Sequence, residues 1–321
     1  TLTPNTGSVN FAGSSLSTIN ATVTETFYNL SINNGAGVTL ASGTHQVSNQ
    51  LTLINGIVNQ NATFNLLNGS SVTGASNASY VNGLVTKIGN AAFTFPVGAG
   101  GFYQPIGISA PTLATDAFTA RYIYGSANAS FPLAQLGATL DHVSAAEYWL
   151  LNRTTGSSNV GVTLNWNTNS GGVGNLPSLR VARWDVATAK WVDQGNGGTT
   201  GTTVAGTVVT SSAVNVFSTP NSPFTIGTTD NFNTLPVTLV DFSCTLTAGF
   251  TVQLDWATAS EINNGRFDIE RSVDGRRFNS IGSVSGAGTT SVFREYTMLD
   301  PLPAPGYNYY RLTQVDLDGK A

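Results

Sequence analysis

The chain has 321 residues, a formal net charge of −4 and only 9% charged residues, against roughly 25% in ordinary soluble domains. With three lysines it has no basic patch that could release the counterions needed to hold nucleic acid, and no apolar run approaches the roughly 20 residues of a helical membrane span. The single cysteine, Cys244, excludes an internal disulfide framework and a cysteine zinc site; between Phe242 and Leu246 it reads as a small buried hydrophobe.

Gly, Ser, Thr and Asn carry the surface polarity instead, and good helix formers nowhere repeat at helical spacing over two turns. The fold class this predicts is all-β, with many turns, in an extracellular or cell-surface setting. The chain opens on Thr1-Leu2-Thr3-Pro4 without an initiator methionine, so the expectation is a mature or truncated form whose export signal has been removed.

Residues 1–90 carry a loose repeat. Phe11, Ile32 and Leu53 stand 21 residues apart, each followed closely by glycine, and Leu67-Asn68-Gly69 and Val81-Asn82-Gly83 continue the theme at shorter spacing. Short apolar pairs (Leu30/Ile32, Val38/Leu40, Leu51/Leu53, Phe64/Leu66) alternate with turn residues. A period near 20 with Asn-Gly corners predicts a β-solenoid in which each rung buries its apolar face on the next; a plain β-meander is the other arrangement compatible with the pattern. The repeat starts in mid-rung, which implies a missing rung, a cap or a partner chain.

From Phe93 the strands become richer in aromatics and less regular. Candidates are Phe93–Phe95, Phe102–Tyr103, Phe118–Tyr124, Tyr148–Leu151, Val160–Trp166, Leu179–Trp184, Lys190–Val192, Thr203–Thr210, Val214–Phe217 and Pro223–Ile226. Such a series with Gly-rich turns predicts a β-sandwich over 91–229. The loops Ser126–Leu140 and Asn167–Pro177 are long enough to form a binding rim, and Ile226–Asn231 reads as a polar linker.

In the last segment, 230–321, Phe250, Val252, Leu254 and Trp256 alternate with Thr251, Gln253 and Asp255, the signature of a strand with one face in a core. Trp256 is the expected central plug. Asn263-Asn264-Gly265 is expected to break the strand, and Asp274-Gly275 to make a hairpin turn after the alternation of Phe267 and Ile269. The segment "LPVTLVDF…WATASEINNGRFDIERSVDGRRF…YYRLTQVDLDGK" resembles the fibronectin-type-III-like domain found near the C-terminus of many cell-surface and secreted proteins of Bacteroidota, commonly just before a type IX secretion sorting domain. The stretches "FPVGAGGFYQPIGISAP", "EYWLLNR" and "LRVARWD" resemble the β-rich region that often precedes it, and the N-terminal repeat resembles the β-repeat sections of the same surface proteins. The resemblance implies export across the outer membrane and display or release outside the cell; it carries no shared enzymatic activity.

By that resemblance, the sandwich over 230–321 lacks its last strand. The ladder Tyr309, Tyr310, Arg311, Leu312, Thr313 and Val315 is then an edge set up for strand addition. The segment Gly7–Gly13 of a second copy is the candidate donor, giving head-to-tail contacts that grow into a filament.

Chemistry-bearing constellations are scarce. His45 stands alone in the repeat, and Asp141-His142 are neighbours that an extended chain would point apart. No Gly-x-Ser-x-Gly elbow supplies a nucleophile. Asp116, Glu147, Asp185 and Asp193 are the acids from which a glycosidase pair would have to come. Glu261, Asn263 and Asn264 lack the spacing of a calcium loop, Gly98-Ala99-Gly100-Gly101 lacks a following Lys-Ser/Thr and helix, and the seven Asn-x-Ser/Thr sequons are expected from composition. Neither a cofactor nor a metal is expected. Trp184 and Trp191, flanking a turn, are candidates for stacking on sugar rings, although core placement is the favoured reading because aromatics dominate sandwich cores. Threonine runs do not recur at the repeat spacing, which argues against an ice-binding face.

The function expected is therefore a non-catalytic extracellular structural or adhesive surface protein, whose partners are copies of itself or surface glycans. A carbohydrate-binding module is the alternative, and a glycoside hydrolase the less favoured one.

Overall fold

The computed structural model describes residues 6–170, 172–217, 222–230, 233, 239–258, 261–290 and 293–316. Ten strands make up its N-terminal part: β1 (Ser8–Gly13), β2 (Ser17–Asn20), β3 (Glu25–Asn34), β4 (Val38–Ser42), β5 (Thr44–Asn55), β6 (Val58–Gln60), β7 (Thr63–Leu66), β8 (Ser71–Thr73), β9 (Val81–Asn82) and β10 (Val85–Ile88). They stack in parallel as a β-solenoid of about 4 turns. One wall runs β2-β4-β6-β9; on the other, β5 pairs with β3 on one side and with β7 and β8 in turn on the other.

The 21-residue spacing is the rung length. Phe11 lies opposite Ile32 and Ile32 opposite Leu53, while Val9, Leu30, Leu51 and Val72 form a parallel column one pleat away. Ile32, Leu51 and Leu53 are fully buried, each worth about 1.5–3 kcal/mol in apolar area removed from water. Along the outside, amides bond rung to rung: Asn49 Nδ2 donates to Asn29 Oδ1 at 2.7 Å, and Asn29 Nδ2 to Ser8 Oγ at 3.1 Å. At the corner, buried Asn34 donates to Ser15 O (2.7 Å) and Ser17 Oγ (3.0 Å) of the preceding rung while its Oδ1 accepts from Ala36 N. Gly56 follows with φ +94°, and a Cβ there would overlap the carbonyl oxygen of Asn34. Only glycine lets the rungs approach so closely.

The middle part contains β11 (Phe93–Phe95), β12 (Gly98–Ala99), β13 (Phe102–Tyr103), β14 (Ile106–Ile108), β15 (Ala117–Tyr124), β16 (His142–Val143), β17 (Glu147–Thr155), β18 (Val162–Trp166), β19 (Leu179–Asp185), β20 (Lys190–Asp193), β21 (Gly198–Gly201), β22 (Gly206–Val209) and β23 (Pro223–Thr228). One sheet, β11-β14-β18-β22-β21, faces another made of β15-β17-β23-β19-β20. That second sheet is continuous with the solenoid wall, because β10 pairs antiparallel with β15 from Val85↔Ala120 to Ile88↔Ala117. The expected border between residues 90 and 91 is thus a change from parallel to antiparallel pairing inside one 12-stranded sheet. A single apolar cluster runs from Phe27 and Leu30 through Val85 to Trp149, Trp166 and Ile226, so the sandwich caps the solenoid interior.

Lys87, on the last rung, is buried and donates to Leu67 O, Ser70 O and Ser70 Oγ at 2.7–2.9 Å, using all three ammonium protons on the oxygens of one turn. Burial nevertheless pulls it down to about 8.

Several expectations are revised here. Val214–Phe217 contributes only an isolated bridge between Val160 and Val214, and the supposed linker from Ile226 is the buried end of β23. The loop Ser126–Leu140 does not stand out as a rim. It folds back so that Ala127, Leu133 and Leu140 join Trp184 and Trp191 in a second buried cluster.

The last part pairs β24 (Leu239–Leu246), β25 (Val252–Thr258) and β28 (Arg294–Asp300) in one sheet, and β26 (Glu261–Ser272), β27 (Asn279–Thr290) and β29 (Tyr309–Asp316) in another, with order β27-β26-β29. Val252, Leu254, Trp256, Phe267 and Ile269 form the core between them, and Trp256 stacks on Tyr296 at 5.5 Å as the expected plug. Three local expectations change. Asn264 does not end a strand: β26 continues through it with register shifts on both sides. Cys244 is exposed rather than buried. Phe250 is 81% exposed with φ +57°, at the hairpin tip before β25. Finally, β1 is not a free donor segment, since Ser8–Gly13 is hydrogen-bonded along β3 as the first rung of its own chain.

Candidate functional site

Where β10 meets β15, the outward-facing residues of both strands come together with the corner of the neighbouring rungs. The result is a groove of about 560 Å³ whose polar lining includes Asn59, Gln60, Asn61, Asn82, Thr86, Thr119 and Arg121. Alternation on β15 explains the outer side. Phe118, Ala120 and Tyr122 are buried, so Thr119 and Arg121 point away from the core. On the solenoid side, Asn82 and Asn59 occupy matching positions of consecutive rungs, and Asn82 Nδ2 donates to Asn59 Oδ1 at 3.3 Å. Gln60 Oε1 accepts from Leu84 N at 3.0 Å, holding the rim.

The hydroxyls of Thr86 and Thr119 lie 2.7 Å apart, and Thr154 continues the line at 3.5 Å. No lining residue is acidic. Arg121 is exposed, and among the described residues no carboxylate lies within ion-pair distance of it. Amides, hydroxyls and a guanidinium offer donors and acceptors for a hydroxyl-rich ligand. At about 0.5–1.5 kcal/mol net per hydrogen bond, several such bonds give the millimolar-to-micromolar range.

Of the four acids that a hydrolase would need, Glu147, Asp185 and Asp193 are occupied locally and Asp116 is buried without a partner among the described residues. Buried Glu147 accepts from Tyr122 OH at 2.8 Å and from Gln104 Nε2 at 3.1 Å. Burial pushes it up to about 7, against the opposing hydrogen bonds of Ser170, Tyr122 and Gln104. None of those partners is a second carboxylate. Asp116 is buried beside Gly156, with no hydrogen-bond partner for either oxygen among the described residues. Asp185 accepts from Thr188 Oγ1 (2.7 Å) and Thr188 N, which, with Arg183, holds it below its ordinary value against slight burial. Asp193 accepts from Thr139 Oγ1 and Gly195 N.

Asp141 and His142 do meet, contrary to the expectation for an extended pair: Nδ1 and Asp141 Oδ2 are 2.8 Å apart. The imidazole Nε2 donates to Asn233 O at 2.7 Å, so Nδ1 is held by Asp141 while Nε2 ties His142 to Asn233. Asn233 itself is buried and donates to Asn175 O, Ser178 Oγ and Thr228 Oγ1. His45 is buried, with Nε2 donating to Ser42 O; burial lowers its affinity for a proton, against the Ser42 carbonyl and Glu25.

Trp184 and Trp191 are not a stacking surface. They are 7% and 0% exposed, pack edge-to-face at 5.6 Å and are covered by Phe131. Glu261, considered for calcium, is also buried, and its carboxylate is filled by donors from Thr258, Asn264, Ala287 N and Tyr296. The side chain of Asn263 lies outside the described residues. Among the described residues no group of three or more His, Cys, Asp or Glu is placed to hold a metal.

The edge residues of β29 have defined places. Tyr310 and Leu312 pack on the last core, Val315 is buried, Tyr310 OH donates to Asp300, and Arg311 and Thr313 both bond Glu270 on β26. Tyr309 is half exposed opposite Ser272. Among the described residues β29 pairs only with β26. A second cleft, about 480 Å³, lies between Phe250, Leu246, Cys244 and the Pro303–Asn308 loop, with Leu246, Phe250, Val252 and Pro303 in its lining; its Asn308 amide is spent on Ala304 and Gly306.

The seam groove was not found from the sequence. Its signal was there in the outward parity of Thr119 and Arg121, and in polar residues recurring at Asn59 and Asn82. No family model, characterised protein or solved structure matches the chain.

Proposed function

We propose that this chain is a non-catalytic adhesive protein of an extracellular surface, binding glycans through the seam groove. The observation that carries this reading is the groove itself. It is lined by amides and hydroxyls and held between a solenoid and a sandwich that share one sheet, while none of Asp116, Glu147, Asp185 and Asp193 lines it. A low-charge surface and the resemblance to Bacteroidota surface proteins support the extracellular setting, and the two three-stranded sheets of the last part fit a fibronectin-type-III-like sandwich. The test is a polysaccharide array probed with the intact chain and with Thr119→Trp, which fills the groove from an outward position. Retention of at least one glycan class by the wild type, lost in the variant, is expected. Equal retention by both, or none by either, overturns the reading.

Head-to-tail assembly is a second reading, favoured by the side of β29 that no described strand covers. The donor cannot be the β1 segment unless it leaves its own solenoid. Light scattering over a concentration series checks this reading: mass growing with concentration supports it, and a constant monomer mass ends it.

A further inference from the structure

We propose that the groove selects acidic glycans, with Arg121 receiving a sugar carboxylate; this rests on the glycan-binding reading above. The molecule carries a net charge of −4, yet the groove lining contains no acid and one cation, Arg121. Five of the ten arginines have carboxylate partners: Arg180 with Asp193, Arg183 with Asp185, Arg266 with Asp268, Arg271 with Asp300 and Arg311 with Glu270; Arg153, Arg276, Arg277 and Arg294 have none among the described residues, but they do not line this groove. Arg121 has none among the described residues, which leaves its planar fork of N–H donors turned to solvent at the rim.

A guanidinium matches a carboxylate with two parallel hydrogen bonds, a geometry that an ammonium does not reproduce. Thr119 stands two residues before Arg121 on the same face of β15, hence about 7 Å away along the strand, the scale of one pyranose ring. The Thr86–Thr119 hydroxyl pair can exchange hydrogen bonds with ring hydroxyls while Arg121 holds the carboxylate at the ring's far side. The Asn59 and Asn82 amides then lie along the next sugar of the chain. An uncharged glycan could use the guanidinium as a hydrogen-bond donor but would leave its charge unmatched.

Calorimetric titration of the intact chain decides the matter. The probes are galacturonate, mannuronate and glucuronate oligosaccharides, each compared with its methyl ester, which keeps every hydroxyl and replaces the charged carboxylate with a neutral ester. At least one acid should bind tenfold or more tightly than its ester. Arg121→Gln should erase that difference, and Arg121→Lys should restore only part of it. A sulfated oligosaccharide binding as well as the uronate would replace carboxylate selection with simple anion attraction. Acid and ester binding alike, with loss of both in Thr119→Trp, overturns the role of Arg121 and leaves the glycan reading standing. No binding of any probe overturns the uronate proposal, and the neutral members of the array then decide the broader reading alone.

Discussion

Thr86 Oγ1 lies 2.7 Å from Thr119 Oγ1 across the line where the parallel ladder of the solenoid becomes the antiparallel ladder of the sandwich. The two residues are 33 apart in sequence. Their contact marks both the seam that makes the two parts one sheet and the floor of the groove. A rigid seam matters for binding, because a groove shared by two independently moving parts would lose affinity to the cost of ordering them.

The solenoid corners give a paired prediction. Gly56→Ala should destabilise the chain by on the order of 3 kcal/mol or more, since the added methyl meets the Asn34 carbonyl and the backbone is left-handed. Gly69 has φ +82° with open space around it, so Gly69→Ala should cost only about 1 kcal/mol. Urea melts of the two variants check the ordering; equal costs would refute the close-approach argument.

Glu147 makes stability depend on pH. Its carboxyl is raised from 4.5 to about 7, chiefly by burial, so the folded chain holds a proton that the unfolded chain releases. The associated stability is fully present below about pH 4.5 and is lost as pH rises through about 7, to a total of about 3 kcal/mol. Denaturation at a series of pH values should show this fall, and Glu147→Gln, which keeps an acceptor for Tyr122, should flatten it. A wild-type profile level from pH 4.5 to 7 would contradict the assignment.

Trp191→Ala should act on folding rather than on recognition. The indole is fully buried and donates to Phe131 O at 3.3 Å, so its removal should cost about 3–5 kcal/mol. Differential scanning calorimetry reads the loss directly. A variant with unchanged melting and reduced glycan binding would return Trp191 to the role of a stacking residue.

Phe250 is the opposite case, a large apolar residue with little to lose. It is 81% exposed in a left-handed conformation, held by the turn in which Thr247 N donates to Thr251 O and the two threonine hydroxyls meet at 2.7 Å. Phe250→Gly should leave stability unchanged or raise it by up to about 1 kcal/mol. A loss of 2 kcal/mol or more on thermal unfolding would show that the ring packs on the molecule.

How far the sequence could be read depended on whether the determining contact was periodic. Phe11, Ile32 and Leu53 announce their stacking because rung length repeats, and Val252, Leu254 and Trp256 announce theirs because a strand with one wet face alternates. Phe250 shares their parity but sits beyond the strand's start, and its exposure comes from the left-handed turn between Thr247 and Thr251. Trp184 could not be assigned a face because β19 is buried on both, one side by the sandwich core and the other by the returning loop around Leu133. The groove was hidden for a related reason. Thr86, Thr119 and Arg121 have no local pattern in common, and only the pairing of β10 with β15 puts them side by side.

The most direct test of the central claim, that the seam groove is where this molecule binds, is hydrogen–deuterium exchange on the intact chain with and without an excess of the best-retained glycan. Slowed exchange confined to Asn59–Phe64, Asn82–Thr86 and Thr119–Arg121 is the predicted result. Protection centred on Trp184–Trp191, on the cleft beside Phe250 or along Tyr309–Val315, with the seam unchanged, would contradict it.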